Sequence, residues 1–258
     1  MEFLSSFDWR VANFNSPWIA FSVPGVYVSI ILLHKLIFGQ SPPGFGELQL
    51  VQAGHNLILC IGSLVIFTFV LYELYARSVL DHDITWIVCE KKGTLARGSL
   101  WFWSYVYYLS KYYELFDTVL QLLRGKLPPH YFLHVYHHAL IIVMCWFWLE
   151  FASSLQFIGI LFNTLVHVVM YAYFFLRSIN RPPSWKKYVT RFQIVQFVTS
   201  FLCFGCTLYH VYFLNQNCNG MNTVYLQLLF NGTLLYGFVG LLSGEKGSRS
   251  FKKDFKQR

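Results

Sequence analysis

The sequence predicts an all-α membrane protein with seven transmembrane helices and no separate soluble domain. Two observations carry this. Hydrophobic residues make up 55% of the 258 positions and charged residues only 12%, with a mean hydropathy of +0.45, a balance foreign to soluble globular proteins. The apolar residues also gather into seven runs, each near the roughly 20 residues that a helix needs to cross a bilayer. The runs are Trp18–Phe38, Ala53–Tyr75, Leu100–Leu123, Tyr131–Phe151, Leu155–Leu176, Val189–Leu214 and Asn222–Leu242. Together they read as one membrane domain over residues 1–258, whose residues 243–258 form a basic tail.

Each run has its own boundary signals. The segment before Trp18 carries Glu2, Asp8 and Arg10 and lacks the basic head and small-residue cleavage site of a secretory signal, so the first helix itself is expected to direct insertion. Pro and Gly at Ser41 to Gly46, Gly93 to Gly98, Gly125 to Pro129 and Arg181 to Pro183 mark helix ends rather than kinks. The sequon Asn231-Gly-Thr233 lies within the seventh run and is discounted.

Charge orients the bundle. With seven spans, fourteen Lys and Arg fall on one face, in the tail, around Arg177 to Arg191, at Arg124 and Lys126, and at Lys35. Five fall on the other: Arg10, Arg77, Lys91, Lys92 and Arg97. The positive-inside bias therefore places the C-terminus in the cytosol, although the four basic residues between Arg77 and Arg97 pull the other way. Of six cysteines, Cys60, Cys145, Cys203 and Cys206 sit within spans and read as small packed hydrophobes. Cys89 and Cys218 sit in loops on the non-cytosolic face, where a disulfide between them can persist.

Polar residues inside spans carry the chemistry, because lipid tolerates them only where they face an interior. The fourth run opens with His134, His137 and His138, which share one helical face at i, i+3 and i+4, and His130 stands one turn earlier. The third run holds Lys111, Glu114 and Asp117 at spacings of three, an arc of about 120° on a continuous helix. Lys111 and Glu114 can pair internally. Asp117 then needs another partner, and the short turn at Gly125 points to a histidine on the fourth helix, His134 lying at a similar depth. The fifth run aligns Asn163, His167 and Tyr171, and the sixth presents Gln193 and Gln196; these amides orient a bound carbonyl or join helices.

The four motifs Lys111-x-x-Glu114-x-x-Asp117-Thr118, His134-x-x-His137-His138, His167-x-x-Met170-Tyr171 and Thr190-x-x-Gln193-x-x-Gln196 resemble, in order, those of the ELO family of very-long-chain fatty acid elongases. The resemblance covers roughly residues 15 to 245. The family often has Tyr-x-Tyr-Tyr after the Met, where this chain has Tyr171-Ala-Tyr173-Phe174.

The resemblance implies condensation of a long-chain fatty acyl-CoA with malonyl-CoA in the endoplasmic reticulum membrane, yielding a 3-ketoacyl-CoA two carbons longer, CO2 and CoA. It implies an acyl-chain tunnel inside the seven helices and no cofactor or metal beyond the two CoA substrates. Implied partners are membrane lipid and the reductase and dehydratase of an elongation cycle, not nucleic acid. His134, His137, His138 and His167 are the expected catalytic group, with His137 or His167 accepting the acyl group as an acyl-imidazole. The other histidines, with Asn163 and Gln193, would hold protons and stabilise developing negative charge. Lys111, Glu114, Asp117, Tyr171 and Gln196 would line the substrate, and Lys186, Lys187, Arg249 and Lys252 would meet CoA phosphates. Direct condensation without a covalent intermediate is the competing mechanism, and Cys145 is a weaker nucleophile candidate because an apolar setting blunts a thiol.

Two other readings fit parts of the pattern. A di-iron desaturase or hydroxylase also uses HxxHH, but needs several such boxes to ligate two irons; His34, His55, His82 and His210 are scattered singly. A seven-helix lipid binder without activity fits the composition but not the clustering of polar residues at one depth.

Overall fold

The computed structural model describes residues 2–39, 44, 48–128 and 130–256, with side chains from residue 4 to residue 243. The helices are α1 (Glu2–Ser5), α2 (Pro17–Phe38), α3 (Gln49–Asp81), α4 (Ser99–Glu114), α5 (Phe116–Leu123), α6 (Tyr131–Glu150), α7 (Gln156–Ser178), α8 (Lys186–Tyr212) and α9 (Met221–Lys256). Short 3-10 turns occupy Trp9–Val11 and Thr85–Ile87. Extended pairing among the described residues is limited to isolated bridges such as Lys91 with Cys218. The fold is therefore all-helical, and the protein is a multi-pass membrane protein. The helix ends follow local chemistry: Pro17 opens α2 where no hydrogen bond is lost, and Gly125, at φ +68°, turns the chain after α5. The expected breakers at 41–43, 45–46 and Pro129 lie outside the described residues.

Among the described residues, six helices are long and apolar enough to cross a membrane: α2, α3, α6, α7, α8 and the Met221–Ser243 part of α9. The third expected span, Leu100–Leu123, is not one helix. It is α4 followed by α5, separated at Leu115. There the Leu115 N–H donates to Tyr112 O and the Thr118 N–H to Leu115 O, both three residues back, so the chain tightens into a 3-10 turn. That local overwinding removes Asp117 from the arc on which a continuous helix would have placed it.

Packing follows a ring. α6 packs on α4, α4 on α3, α3 on α7, α7 on α8, α8 on α9 and α9 back on α6, while α2 packs on α6 from outside. The α2–α6 seam is formed by Tyr27 and Ile31 against Val135 and Ala139. Outward faces stay apolar, with Ile30, Leu33, Ile58 and Leu64 exposed, as a lipid-facing surface requires. α8 is held lightly: Val189, Phe197 and Thr207 are its buried residues.

The end of the bundle remote from the α9 tail is fastened most firmly. Cys89 and Cys218 are disulfide-bonded, joining the loop after α3 to the loop before α9. Beside them the buried Glu90 carboxylate accepts both Arg77 guanidinium nitrogens at 2.7 and 2.8 Å, and Arg77 stacks 3.8 Å over Trp86. The Asn219 amide donates to Thr94 O, Phe151 O and Ala152 O. The N-terminal segment closes the same end: Trp9 Nε1 donates to Glu150 at 3.0 Å, Trp146 Nε1 donates to Asn15 O, and Asp8 pairs with Arg97.

Candidate active site

The polar residues of four spans converge inside the ring, towards the end opposite the disulfide. Lys111, on α4, is buried and places Nζ 2.6 Å from Glu114 Oε1 and 3.0 Å from Asn163 Oδ1. Its charge also lies 4.1 Å from the Tyr107 ring centre, and Tyr107 donates to Asn163 Oδ1 at 2.8 Å. Glu114 Oε1 stands 3.4 Å from His167 Nδ1. One buried cation is thus shared by a carboxylate on its own helix and an amide on α7, the satisfaction that a charge removed from water requires. Because a carboxylate only accepts, this contact places the His167 proton on Nδ1 and leaves Nε2 as the basic nitrogen.

Asp117 has other partners than the sequence indicates. Its Oδ1 lies 2.9 Å from His55 Nε2, and its Oδ2 accepts from Tyr171 at 2.7 Å. The expected pairing with His134 is therefore corrected. His134 Nε2 instead meets Thr118 Oγ1 at 2.8 Å, and Tyr27 of α2 completes that contact at 2.7 Å. The turn at Leu115 is the cause, since it presents Thr118 to α6 and Asp117 to α3 and α7. His55 is the residue that sequence reasoning missed. It stood alone in its span, and its sole signal was a neighbouring polar residue, Asn56, in an otherwise apolar helix; Asn56 donates to Ser178 Oγ.

The three histidines of α6 pack against one another, His134 tilted and His137 edge-on to His138. The His134 and His138 ring centres are 4.4 Å apart, and those of His137 and His138 are 5.4 Å apart. His137 lies parallel to Phe230 of α9 at 6.1 Å. His137 Nδ1 and His138 Nδ1 are buried without a hydrogen-bond partner, in contrast to His134, which is held by Thr118. His130 caps α6 in a left-handed conformation and is exposed, outside this group.

His137 lines a narrow cavity within the ring, together with Tyr107, Asn163, Gln196, Phe197 and Phe230. About 40 Å³ of room admits a few water molecules and is smaller than an extended acyl chain. Gln193 lies aside, its amide donating to Met170 Sδ at 3.7 Å. Cys145 is buried in the core. Lys186 and Lys187 are exposed at the start of α8, where Lys187 lies over the Tyr188 ring; the side chains of Arg249 and Lys252 lie outside the described residues. No three His, Cys, Asp or Glu side chains among the described residues are grouped as metal ligands.

Most of the chain is similar to known proteins. Residues 12–243 match the ELO: GNS1/SUR4 family. Very long chain fatty acid elongase 7 of Rattus norvegicus is 37% identical over 246 residues, covering 91% of this chain and 82% of the relative. Fatty acid elongase sre1 of Dictyostelium discoideum is 34% identical over 215 residues, covering 77% and 76% respectively. Fatty acid elongase A of the same organism is 33% identical over 189 residues, covering 72% and 67%.

Proposed function

The chain belongs to the ELO: GNS1/SUR4 family, and on that premise we propose that it condenses a long-chain fatty acyl-CoA with malonyl-CoA. The products are a 3-ketoacyl-CoA two carbons longer, CO2 and free CoA. The observation that carries this reading is the placement of His137, with an unpartnered buried Nδ1, on the wall of a cavity that Asn163 and Gln196 also line. A nucleophile, amide donors and an apolar extension are what acyl transfer from a thioester to carbon needs.

His137 attacks the thioester carbonyl through a ring nitrogen. The carbon–sulfur bond breaks, CoA leaves as the thiol after taking up a proton, and the acyl group remains as an acyl-imidazole. Malonyl-CoA then loses CO2. The resulting enolate carbon attacks the acyl carbonyl, the carbon–nitrogen bond breaks, and the imidazole is regenerated. Asn163 and Gln196 flank the developing oxyanions, and His167, held by Glu114, takes and returns the proton. Glu114 and Lys111 hold this wall in place, and Asp117 with Tyr171 and His55 fixes α5 against it. His138 packs edge-on behind His137, and His134 packs against His138.

The orientation of the site supports the same assignment. A disulfide favours an oxidising compartment, and it lies at the end remote from the histidines and from the basic tail. The C-terminus is then cytosolic and the protein sits in the endoplasmic reticulum membrane. CoA approaches the basic end, where Lys186, Lys187, Arg249 and Lys252 are its phosphate partners. The acyl chain runs inward from His137 along the wall formed by Phe197, Phe230 and Leu234. The product passes to a reductase and then a dehydratase.

The test is incubation of the purified protein with acyl-CoA alone, followed by mass spectrometry of its peptides. An acyl adduct on His137 is expected, and it disappears when labelled malonyl-CoA is added and labelled product forms. Product without an adduct on any histidine defeats the covalent route in favour of direct condensation. No product across a panel of acyl-CoAs defeats the condensation, and two irons per chain would do the same in favour of oxidation chemistry.

A further inference from the structure

The far end of the cavity does not look like a hydrocarbon sleeve. Ser200, Cys203, Gln227 and Asn231 line it alongside Trp148 and Gly159. The Asn231 amide donates to Ser200 Oγ at 2.9 Å, and Ser200 donates to Phe197 O. Two groups are left over: Trp148 Nε1 and Gln227 Oε1 are buried without a hydrogen-bond partner, on side chains only 5% and 6% exposed. Both side chains crowd the same spot. A Cβ on Gly159 would stand 3.2 Å from the Trp148 ring and 3.7 Å from the Gln227 amide nitrogen.

An indole N–H can only donate and an amide oxygen can only accept. Water, which the cavity admits, can answer both; for a chain that displaces it, the smallest single group that does so is a hydroxyl. A saturated chain seated here would leave both groups unpaired in an apolar setting, a cost comparable to a lost hydrogen bond for each. Trp148 lies eleven residues beyond His137 on the same helix, about 16 Å along its axis. The complementary hydroxyl therefore sits far down the chain, not at the carbons next to the thioester.

We propose that this cavity selects acyl chains carrying a hydroxyl group deep in the hydrocarbon, recognised jointly by Trp148 and Gln227. The proposal rests on the reading that the cavity receives the acyl chain from His137. Trp148 and Gln227 act on specificity and take no part in the chemistry.

The full-length protein in lipid nanodiscs is offered CoA thioesters of a single chain length, either saturated or bearing one hydroxyl or one oxo group walked along the distal half. Displacement of a bound fluorescent acyl-CoA reads affinity, and labelled malonyl-CoA reads extension. One hydroxyl position is expected to bind on the order of tenfold or more tighter than the saturated chain, with neighbouring positions weaker. Trp148→Phe and Gln227→Met each weaken the preference and the double variant abolishes it, while the saturated chain binds each variant at least as tightly as it binds the wild type, because a group that it would leave unpaired is gone. Should Trp148→Phe misfold, Gln227→Met by itself carries the same expectation. Hydroxylated chains that bind no better than saturated ones at every position, or a preference left undiminished by either substitution, overturn the proposal. Extension failing for every thioester refutes the condensation instead, and the affinity series still decides the selectivity.

Discussion

His55 Nε2 lies 2.9 Å from Asp117 Oδ1, sixty-two residues away in sequence, and the same carboxylate accepts from Tyr171. Three helices, α3, α5 and α7, are thus tied at one carboxylate beside the proposed reaction chamber. Tyr171 in turn meets His167 edge-on, with ring centres 5.3 Å apart. Because the carboxylate can only accept, His55 donates through Nε2.

This contact predicts strong coupling. His55→Ala and Asp117→Asn should each lower elongation activity, and the double variant should fall short of the sum by about 1 kcal/mol, the usual signature of residues in one network. The coupling is measured as a double-mutant cycle on kcat/KM. His55→Gln, which keeps a donor, should recover part of the loss, whereas additive effects would deny the pairing a role.

Lys111 is the counter-charge that allows Glu114 to be buried. Lys111→Met should destabilise the protein by about 3–5 kcal/mol by leaving that carboxylate unpaired, seen as a lowered unfolding midpoint in detergent. Adding Glu114→Gln removes the stranded charge, so the double variant should be more stable than Lys111→Met alone.

His137 should be separable from stability. His137→Ala is expected to cut condensation by at least about 10²-fold, in the range that positioned proton-transfer and nucleophilic groups supply, and to abolish the acyl adduct. Its unfolding midpoint should fall only by the lost packing of the ring against His138 and Phe230, and His137→Gln, which fills more of that space, should stay closer to the wild type while remaining as inactive.

The Cys89–Cys218 bond encloses 129 residues of separation. Thiol titration of the denatured protein should count four free thiols without reductant and six after reduction, from the six cysteines present. Cys218→Ser should destabilise by about 2–5 kcal/mol, and the loosening should start at the end closed by Trp9 and Glu150. Six thiols without reductant would remove the bond.

The legible features were those governed by one helix at a time. His134, His137 and His138 fall on one face because 3.6 residues make a turn, and Lys111 reaches Glu114 for the same reason. Span boundaries were legible because a bilayer demands a fixed length of apolar chain. The third span reads as continuous in the sequence, since nothing in Tyr113-Glu114-Leu115-Phe116 signals a break: no Pro or Gly is present.

By itself, then, the sequence determined the class of the protein, the places where polar groups enter the membrane, and the side chains able to do chemistry there. Only the tertiary structure decided who meets whom. His55 had no visible partner because its carboxylate lies on another helix, and Asp117 turned from His134 to His55 through a few residues of overwinding. The closure of α9 onto α6 brought Gln227 beside Trp148. Pairings between helices depend on the rotation and depth of each one, which are settled by packing among all of them at once. Periodicity along a single segment constrains neither.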